Sequence, residues 1–297
     1  MEIIGITSVG GNVAADKTYA NVHRMCQFVG AVSDDGHSSI PVGKDHRQIV
    51  SWDASHIHGN DGIGNLSTML PEVKLPATEL DSVDMIIDAI STHGSDLIIL
   101  VTGPMTNIAA AEARVPGILK RCKRIIAMGG AIHVPGNITP VAEFNVYYDA
   151  ASASAVMKAT DNLWLAPLDI TTSMVFSAED TENCFKQINH DTKQEFVRKL
   201  TEFTIGTNTM FRETGYEKGF YVHDAHTVGM LLYPHLYSGT FHNIAVETHG
   251  DLTSGQTVVD TRNHARTIVN AYVATSFDKQ RFLEAMTEDF KTFDFGL

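Results

Sequence analysis

Positive charge is scarce in this chain: 22 Lys and Arg stand against 35 Asp and Glu over 297 residues, a net charge of −13. Phosphate binding needs a basic face, so nucleic acid is not an expected partner. Cysteine is scarcer still. Cys26, Cys122 and Cys184 are odd in number and far apart, which fits neither a disulfide framework nor a zinc signature. A reducing compartment is the expectation. No apolar run reaches the ~18 residues of a spanning helix, so no membrane partner is expected. The basic, then apolar, then small pattern of a signal peptide is missing as well, and the expected location is the cytoplasm. No G-x-G-x-x-G follows the first strand, and Gly10-Gly11-Asn12 does not replace it. That argues against a nicotinamide-dependent dehydrogenase. Linkers, repeats and low-complexity tracts are absent, so residues 1–297 are read as one domain.

What is present is an ordinary globular composition, 43% hydrophobic and 19% charged, with elements that alternate. Residues 2–9 read as a strand that starts inside the core. Residues 16–29 follow with apolar positions at helical spacing (Tyr19, Val22, Met25, Cys26, Val29). A short strand is expected at 40–42. Glycines at 59, 62 and 64 argue against regular structure between 56 and 64, which reads as a mobile loop. A helix at 84–90, a buried strand at 96–101, an Ala-rich helix at 105–114 and a buried strand at 124–127 come next. Residues 149–158 read as a helix and 163–166 as a strand. Alternation of this kind implies an α/β fold, with a mostly parallel sheet, right-handed crossovers and helices on both faces. The second half is more helical, at 192–211, 225–232 and 278–290. Strands are expected at 243–249, 256–260 and 266–273, and 215–221 reads as a second flexible loop.

Four sets of polar residues follow predicted strands or precede helices: Asn12; Thr102; Asn137, Thr139, Glu143 and Asn145; and His223 with Asp224. In open α/β sheets such loops line the ligand crevice. Each hydroxyl of a polyhydroxylated ligand wants a donor and an acceptor, and Asn with Glu supplies both. Each set also has a plainer reading. Gly, Asn, Thr and Pro are ordinary loop residues, an Asp at a helix entry is commonly an N-cap, and most of the 14 histidines read as surface or satisfied core residues. His56 and His58 as a metal pair lack an element to hold them together.

The segments GITSVGGN (5–12), HGNDGIG (58–64), ILVTGPMTNIA (99–109), GNITPVAEFN (136–145), PLDIT (167–171), VHDAHTVGMLLYP (222–234) and GQTVVD (255–260) resemble, in order, those of the nucleoside hydrolases, the inosine–uridine-preferring N-ribohydrolases. The resemblance covers essentially the whole chain. It implies a single α/β domain with a Rossmann-like, mostly parallel core sheet flanked by helices, a small nucleoside as substrate, and a homodimer or homotetramer. It also implies roles. Asn12, Asn137, Glu143 and Asn145 resemble residues that grip the ribose, Met128 one that packs near it, and His58 one on a mobile loop over the site. His223 resembles the acid that protonates the leaving base. The carbonyl of Thr102 and the carboxylate of Asp224 resemble ligands of a Ca²⁺ ion, which would hold the ribose diol and the attacking water. Tyr216 and Tyr221 either stack on a base, relay a proton or simply pack. The chemistry suits these types, since breaking an N-glycosidic bond places positive charge on the ribose and negative charge on the base.

One part of the pattern is not matched. The family motif D-x-D-P-G-x-D-D, source of the general base and further calcium ligands, does not occur in this sequence. Asp34-Asp35 lies in a Gly/Ser loop and does not substitute. On the resemblance, about one strand and one helix, roughly 25–30 residues, are expected to be absent at the front. The 297-residue chain is therefore expected to hydrolyse nucleosides very slowly or not at all. The alternative is a non-catalytic nucleoside- or ribose-binding relative.

Overall fold

The structure, a computed structural model, describes residues 1–47, 54–186, 191–215, 217–262 and 268–292. In chain order the elements are β1 (Ile6–Thr7), α1 (Ala15–Phe28), β2 (Val42–Lys44), α2 (Ser55–His58), β3 (Leu80–Asp81), α3 (Ser82–His93), β4 (Ile98–Val101) and α4 (Thr106–Arg114). Next come β5 (Arg124–Met128), α5 (Phe144–Tyr148), α6 (Ala150–Ala159), β6 (Leu163–Ala166), α7 (Leu168–Thr171), α8 (Ala178–Phe185) and α9 (Asp191–Phe211). The last are α10 (Ala225–Leu232), β7 (Tyr237–Val246), β8 (Thr257–Asp260), β9 (Ala271–Phe277) and α11 (Lys279–Thr292). They group into two compact units. One is Met1–Met85, Val175–Tyr221 and Lys279–Leu297; the other is Ile86–Met174 and Val222–Asp278. No described helix is long and apolar enough to cross a membrane.

The first unit holds a small parallel sheet in the order β1-β2-β3, with Ile6 opposite Val42 and Gly43 opposite Leu80. β1 is much shorter than the strand expected at 2–9, and it does not begin in the core: Met1 is 90% and Ile3 65% exposed. An edge strand beside a three-residue partner has nothing to pair with along the rest of its length. In the same unit α8 packs on α9 and α11, around Phe28, Leu70 and Phe196 with Phe185 and Phe290 against them. A capping box opens α8, where the Ser177 side chain and the Asp180 carboxylate each take the other's backbone N–H.

The second unit is built on a six-stranded sheet in the order β4-β5-β6-β9-β7-β8. The first four strands run parallel and β7 runs against both neighbours. This is the expected α/β class, a mostly parallel core sheet flanked by helices. β5 is its spine, with Ile125, Ile126 and Ala127 wholly buried. Such β-branched and apolar runs are what a strand covered on both faces requires. α10 packs on β5 and β4, α7 on β9 and β6, and α4 on α6. The last strand differs from the expected 266–273, since pairing begins at Ala271; residues 263–267 lie outside the described residues. β7 begins six residues earlier than expected. It carries a bulge at the Ser238-Gly239 step, where a Cβ on Gly239 would lie 2.1 Å from the Val273 carbonyl oxygen.

Candidate active site

The C-terminal end of β5 is shaped by two glycines. Gly129 donates to the Ala166 carbonyl at 3.2 Å, and Gly130 accepts from Leu168 N–H at 2.8 Å. Gly130 has a φ of 85°, and a Cβ there would sit 2.8 Å from Thr257 Oγ1. Only glycine fits that position without strain. The chain then runs through a loop tied down by side chains. Asp169 accepts from Ile132 and His133 N–H at 2.9 and 2.8 Å, and Thr139 Oγ1 accepts from Ala142 N–H at 3.0 Å. Asn137 Oδ1 takes Phe144 N–H at 2.9 Å.

Glu143 closes this loop and starts α5. Its carboxylate accepts from Asn145 N–H (2.8 Å), Gly130 N–H (2.9 Å) and Val146 N–H (3.2 Å). The side chain is buried. Burial pushes its pKa up, while the bonds from Asn145, Gly130 and Val146 pull the other way. A carboxylate has about four lone-pair sites, and three here go to backbone, so Glu143 fastens the loop to β5. Asn145 Nδ2 in turn donates to the Met128 carbonyl at 3.3 Å. Met128, Asn137, Glu143 and Asn145 are thus brought together. Thr102 follows Val101, which pairs with Ala127, so Thr102 emerges at the same end of the sheet, beside Met128.

His223 and Asp224 precede α10. Asp224 does not cap that helix, because its side chain makes no capping bond. Instead its carbonyl takes the Thr227 hydroxyl at 2.8 Å. The N-cap reading fails on that geometry, and the carboxylate is left for other work. Water reaches Asp224, yet the protein around it, and then the Glu143 charge, push its pKa up to about 7. Both acids are thus held toward their neutral forms near neutral pH. His223 Nδ1 lies 2.7 Å from Thr171 Oγ1. His226, one helical step on, is fully buried. Its Nδ1 meets Tyr237 OH at 3.1 Å and its ring stands edge-on to Phe277 at 4.6 Å. Burial, and then His223, lower its pKa to about 3.

Thr171, Asp169 and His226 were not singled out from the sequence. PLDIT is one of the segments that carry the family resemblance, but which of its side chains reaches another loop depends on long-range geometry. VHDAH does show a second histidine three residues after the first, which is a legible helical spacing.

In the first unit, Asn12 and His58 belong to one neighbourhood, because Asn12 C=O accepts from Ala54 N–H (3.2 Å) at the start of α2, and His58 ends that helix. The stretch is therefore not devoid of regular structure. Asp61 gathers the glycine turns by accepting from Ile63, Asn65 and Ser67 N–H at 2.9, 2.8 and 2.9 Å. Gly59, Gly62 and Gly64, all at positive φ, make that wrapping possible. Burial, and then His56, lower the His58 pKa to about 4. Burial, and then the Glu217 and Glu213 charges, raise that of Tyr221. Tyr216 lies outside the described residues, and the expected loop at 215–221 contains an antiparallel bridge between Phe176 and Phe220.

Calcium takes about 6–8 oxygen ligands. Among the described residues no group of three or more His, Cys, Asp or Glu is placed to hold a metal. Asp224 and the Thr102 carbonyl do not by themselves amount to a calcium site.

The family model for inosine-uridine preferring nucleoside hydrolase matches residues 1–284. The chain is 31% identical over 291 residues to the pyrimidine-specific ribonucleoside hydrolase RihA of Citrobacter koseri, covering 97% of this chain and 89% of that one. It is 30% identical over 294 residues to RihA of Escherichia fergusonii, covering 98% and 90%. Among solved structures, the purine-preferring ribonucleoside hydrolase from Gardnerella vaginalis superposes with a TM-score of 0.87 at 27% identity, over 99% of this chain and 91% of that one. The same order of motifs, the same fold and a match along nearly the whole length place this chain in the inosine-uridine preferring nucleoside hydrolase family, glycosidases that act on N-glycosyl bonds.

Proposed function

We propose that this protein, as one nucleoside hydrolase-like domain over residues 1–297, hydrolyses the N-glycosidic bond of ribonucleosides at the C-terminal end of β5. The observation that carries this reading is the joining of Met128, Glu143 and Asn145 by hydrogen bonds, beneath a helix, α10, that packs on β5 and is entered through His223 and Asp224. Ribose gains positive charge as the bond breaks, and a carboxylate beside it stabilises that charge. Asn137, Glu143 and Asn145 grip the ribose and Met128 packs beneath it; Asn12 and His58, in the first unit, are kept as substrate-contact candidates on the family resemblance alone. His223 donates toward the departing base. The named relatives divide between pyrimidine and purine preference, so the substrate class stays at ribonucleosides. Assembly into two or four copies and a cytoplasmic location belong to the same reading.

Among the described residues, Thr102 and Asp224 are the proposed ligands for Ca²⁺. Two are few, and the sequence holds no D-x-D-P-G-x-D-D run to supply a general base. Turnover by the 297-residue chain is therefore slow. The same observation favours one second reading, a nucleoside-binding relative without catalysis. Calorimetric titration with inosine and with uridine, run beside chromatographic detection of free base, separates the two. Binding with base release supports the hydrolase, binding without release supports the second reading, and no binding removes both. Release at an ordinary rate that depends on added Ca²⁺ would contradict the slow-turnover proposal.

A further inference from the structure

We propose that Thr171 is the positioning residue for His223: its hydroxyl donates to Nδ1 and holds the neutral imidazole as the Nε2–H tautomer. The inference rests on the reading of His223 as the donor to the leaving base. It starts from burial. Thr171 is 0% exposed, and His223 Nδ1, at 2.7 Å, is the hydrogen-bond partner its hydroxyl has among the described residues.

A hydroxyl carries one proton and two lone pairs. If Nδ1 carried the ring proton and donated to Oγ1, the hydroxyl proton would be shut in without an acceptor. An unsatisfied buried donor is the costly arrangement. With the hydroxyl donating, both groups are satisfied and the ring proton sits on Nε2. Neighbouring bonds hold Thr171 in place. Its N–H bonds to Pro167 C=O at 3.2 Å, Leu168 N–H bonds to Gly130 C=O at 2.8 Å, and Asp169 accepts from Ile132 and His133 N–H. The four residues of α7 are thereby tied to the loop that carries Glu143, so the hydroxyl arrives at Nδ1 from a fixed direction.

The consequence is chemical. As the C1′–N bond breaks, its electron pair passes to the base, and an N–H presented by Nε2 stabilises the negative charge by hydrogen bonding. No proton has to leave the ring for this to operate. A bare Nε2 would offer a lone pair to that charge instead.

The tautomer is readable without turnover. In the full chain labelled with ¹⁵N-histidine, two-bond ¹H–¹⁵N correlations are recorded at mildly alkaline pH, with the His223 peaks identified by their loss in His223→Ala. The expected result is the Nε2–H pattern in the wild type and in Thr171→Ser, and a tautomer mixture or Nδ1–H in Thr171→Val. An Nδ1–H pattern in the wild type overturns the proposal, as does a Thr171→Val spectrum unchanged from wild type. Kinetics give a second readout. Thr171→Val should slow base release from inosine roughly tenfold, a part of the ~10²–10⁴ that a placed donor supplies. An aryl riboside whose leaving group needs no hydrogen bond should slow by less than about twofold. Equal losses on both substrates would mean a merely structural role and overturn the positioning claim. If His223→Ala releases base at the wild-type rate, the donor reading of His223 fails, and the spectra still decide the Thr171 assignment.

Discussion

At the scale of single residues, Glu143 joins three backbone N–H groups with one carboxylate. Glu143→Gln keeps the shape but turns an NH₂ toward at least one of those donors. It should cost about 1–3 kcal/mol, the penalty of an unsatisfied buried group, and lower the denaturant midpoint accordingly. An unchanged midpoint would mean that these bonds do not hold the loop. His58 offers a test by pH. Its folded pKa of about 4 lies below the ~6.5 of an unfolded histidine. Between those values the unfolded chain binds the extra proton, so this residue makes stability fall as pH drops through that window. His58→Gln should be less sensitive than wild type between about pH 7 and pH 4. Parallel stability curves for the two proteins would exclude the effect. At this scale the sequence was informative about residue types and poor about roles. Asp224 has an N-cap's position and does not act as one, while Glu143, unremarked as a cap, takes two N–H groups of its own helix.

At the scale of elements, the turn after β5 decides whether the loop can fold back. Gly130→Ala demands a left-handed φ of a residue with a Cβ and forces that Cβ to 2.8 Å from Thr257 Oγ1. The strain and overpacking should cost about 1–3 kcal/mol, and nucleoside affinity should fall with it, measured by melting and by titration. Wild-type values for both would contradict this account of the turn. Elements with a well-buried face were the legible ones. β6 and α10 have the bounds their apolar patterns imply, and β5 differs by one residue, because burial imposes the pattern directly. β1 was overextended for want of a neighbour to pair with. α8 was overlooked although Ser177 and Asp180 mark its start, since it is short and polar, and its buried positions are Thr181 and Cys184 rather than large apolar side chains. Nothing in the local sequence announces the bulge at Gly239, where the backbone of Val273, 34 positions away, leaves no room for a Cβ.

At the scale of the whole molecule, order and spacing of motifs carried most of the functional information. α/β class follows from alternation alone, but a ribose-binding reading needed the segments at 136–145 and 222–234 together. What the sequence left hidden was the set of cross-loop bonds, Thr171 to His223 and Asp169 to Ile132, because residues 37–52 positions apart meet only after folding. Calcium offers a prediction on this scale. With so few ligands, millimolar Ca²⁺ should bind weakly, and by mass action its stabilisation should stay below about 1 kcal/mol. A melting shift of many degrees would show that the chain assembles a fuller site. Base release from uridine and inosine by the full chain, compared with Asn145→Ala, tests the assignment most directly. Slow release in the wild type, lost in the variant, is the predicted result; release at equal rates in both would mean that the end of β5 is not where nucleosides are cleaved.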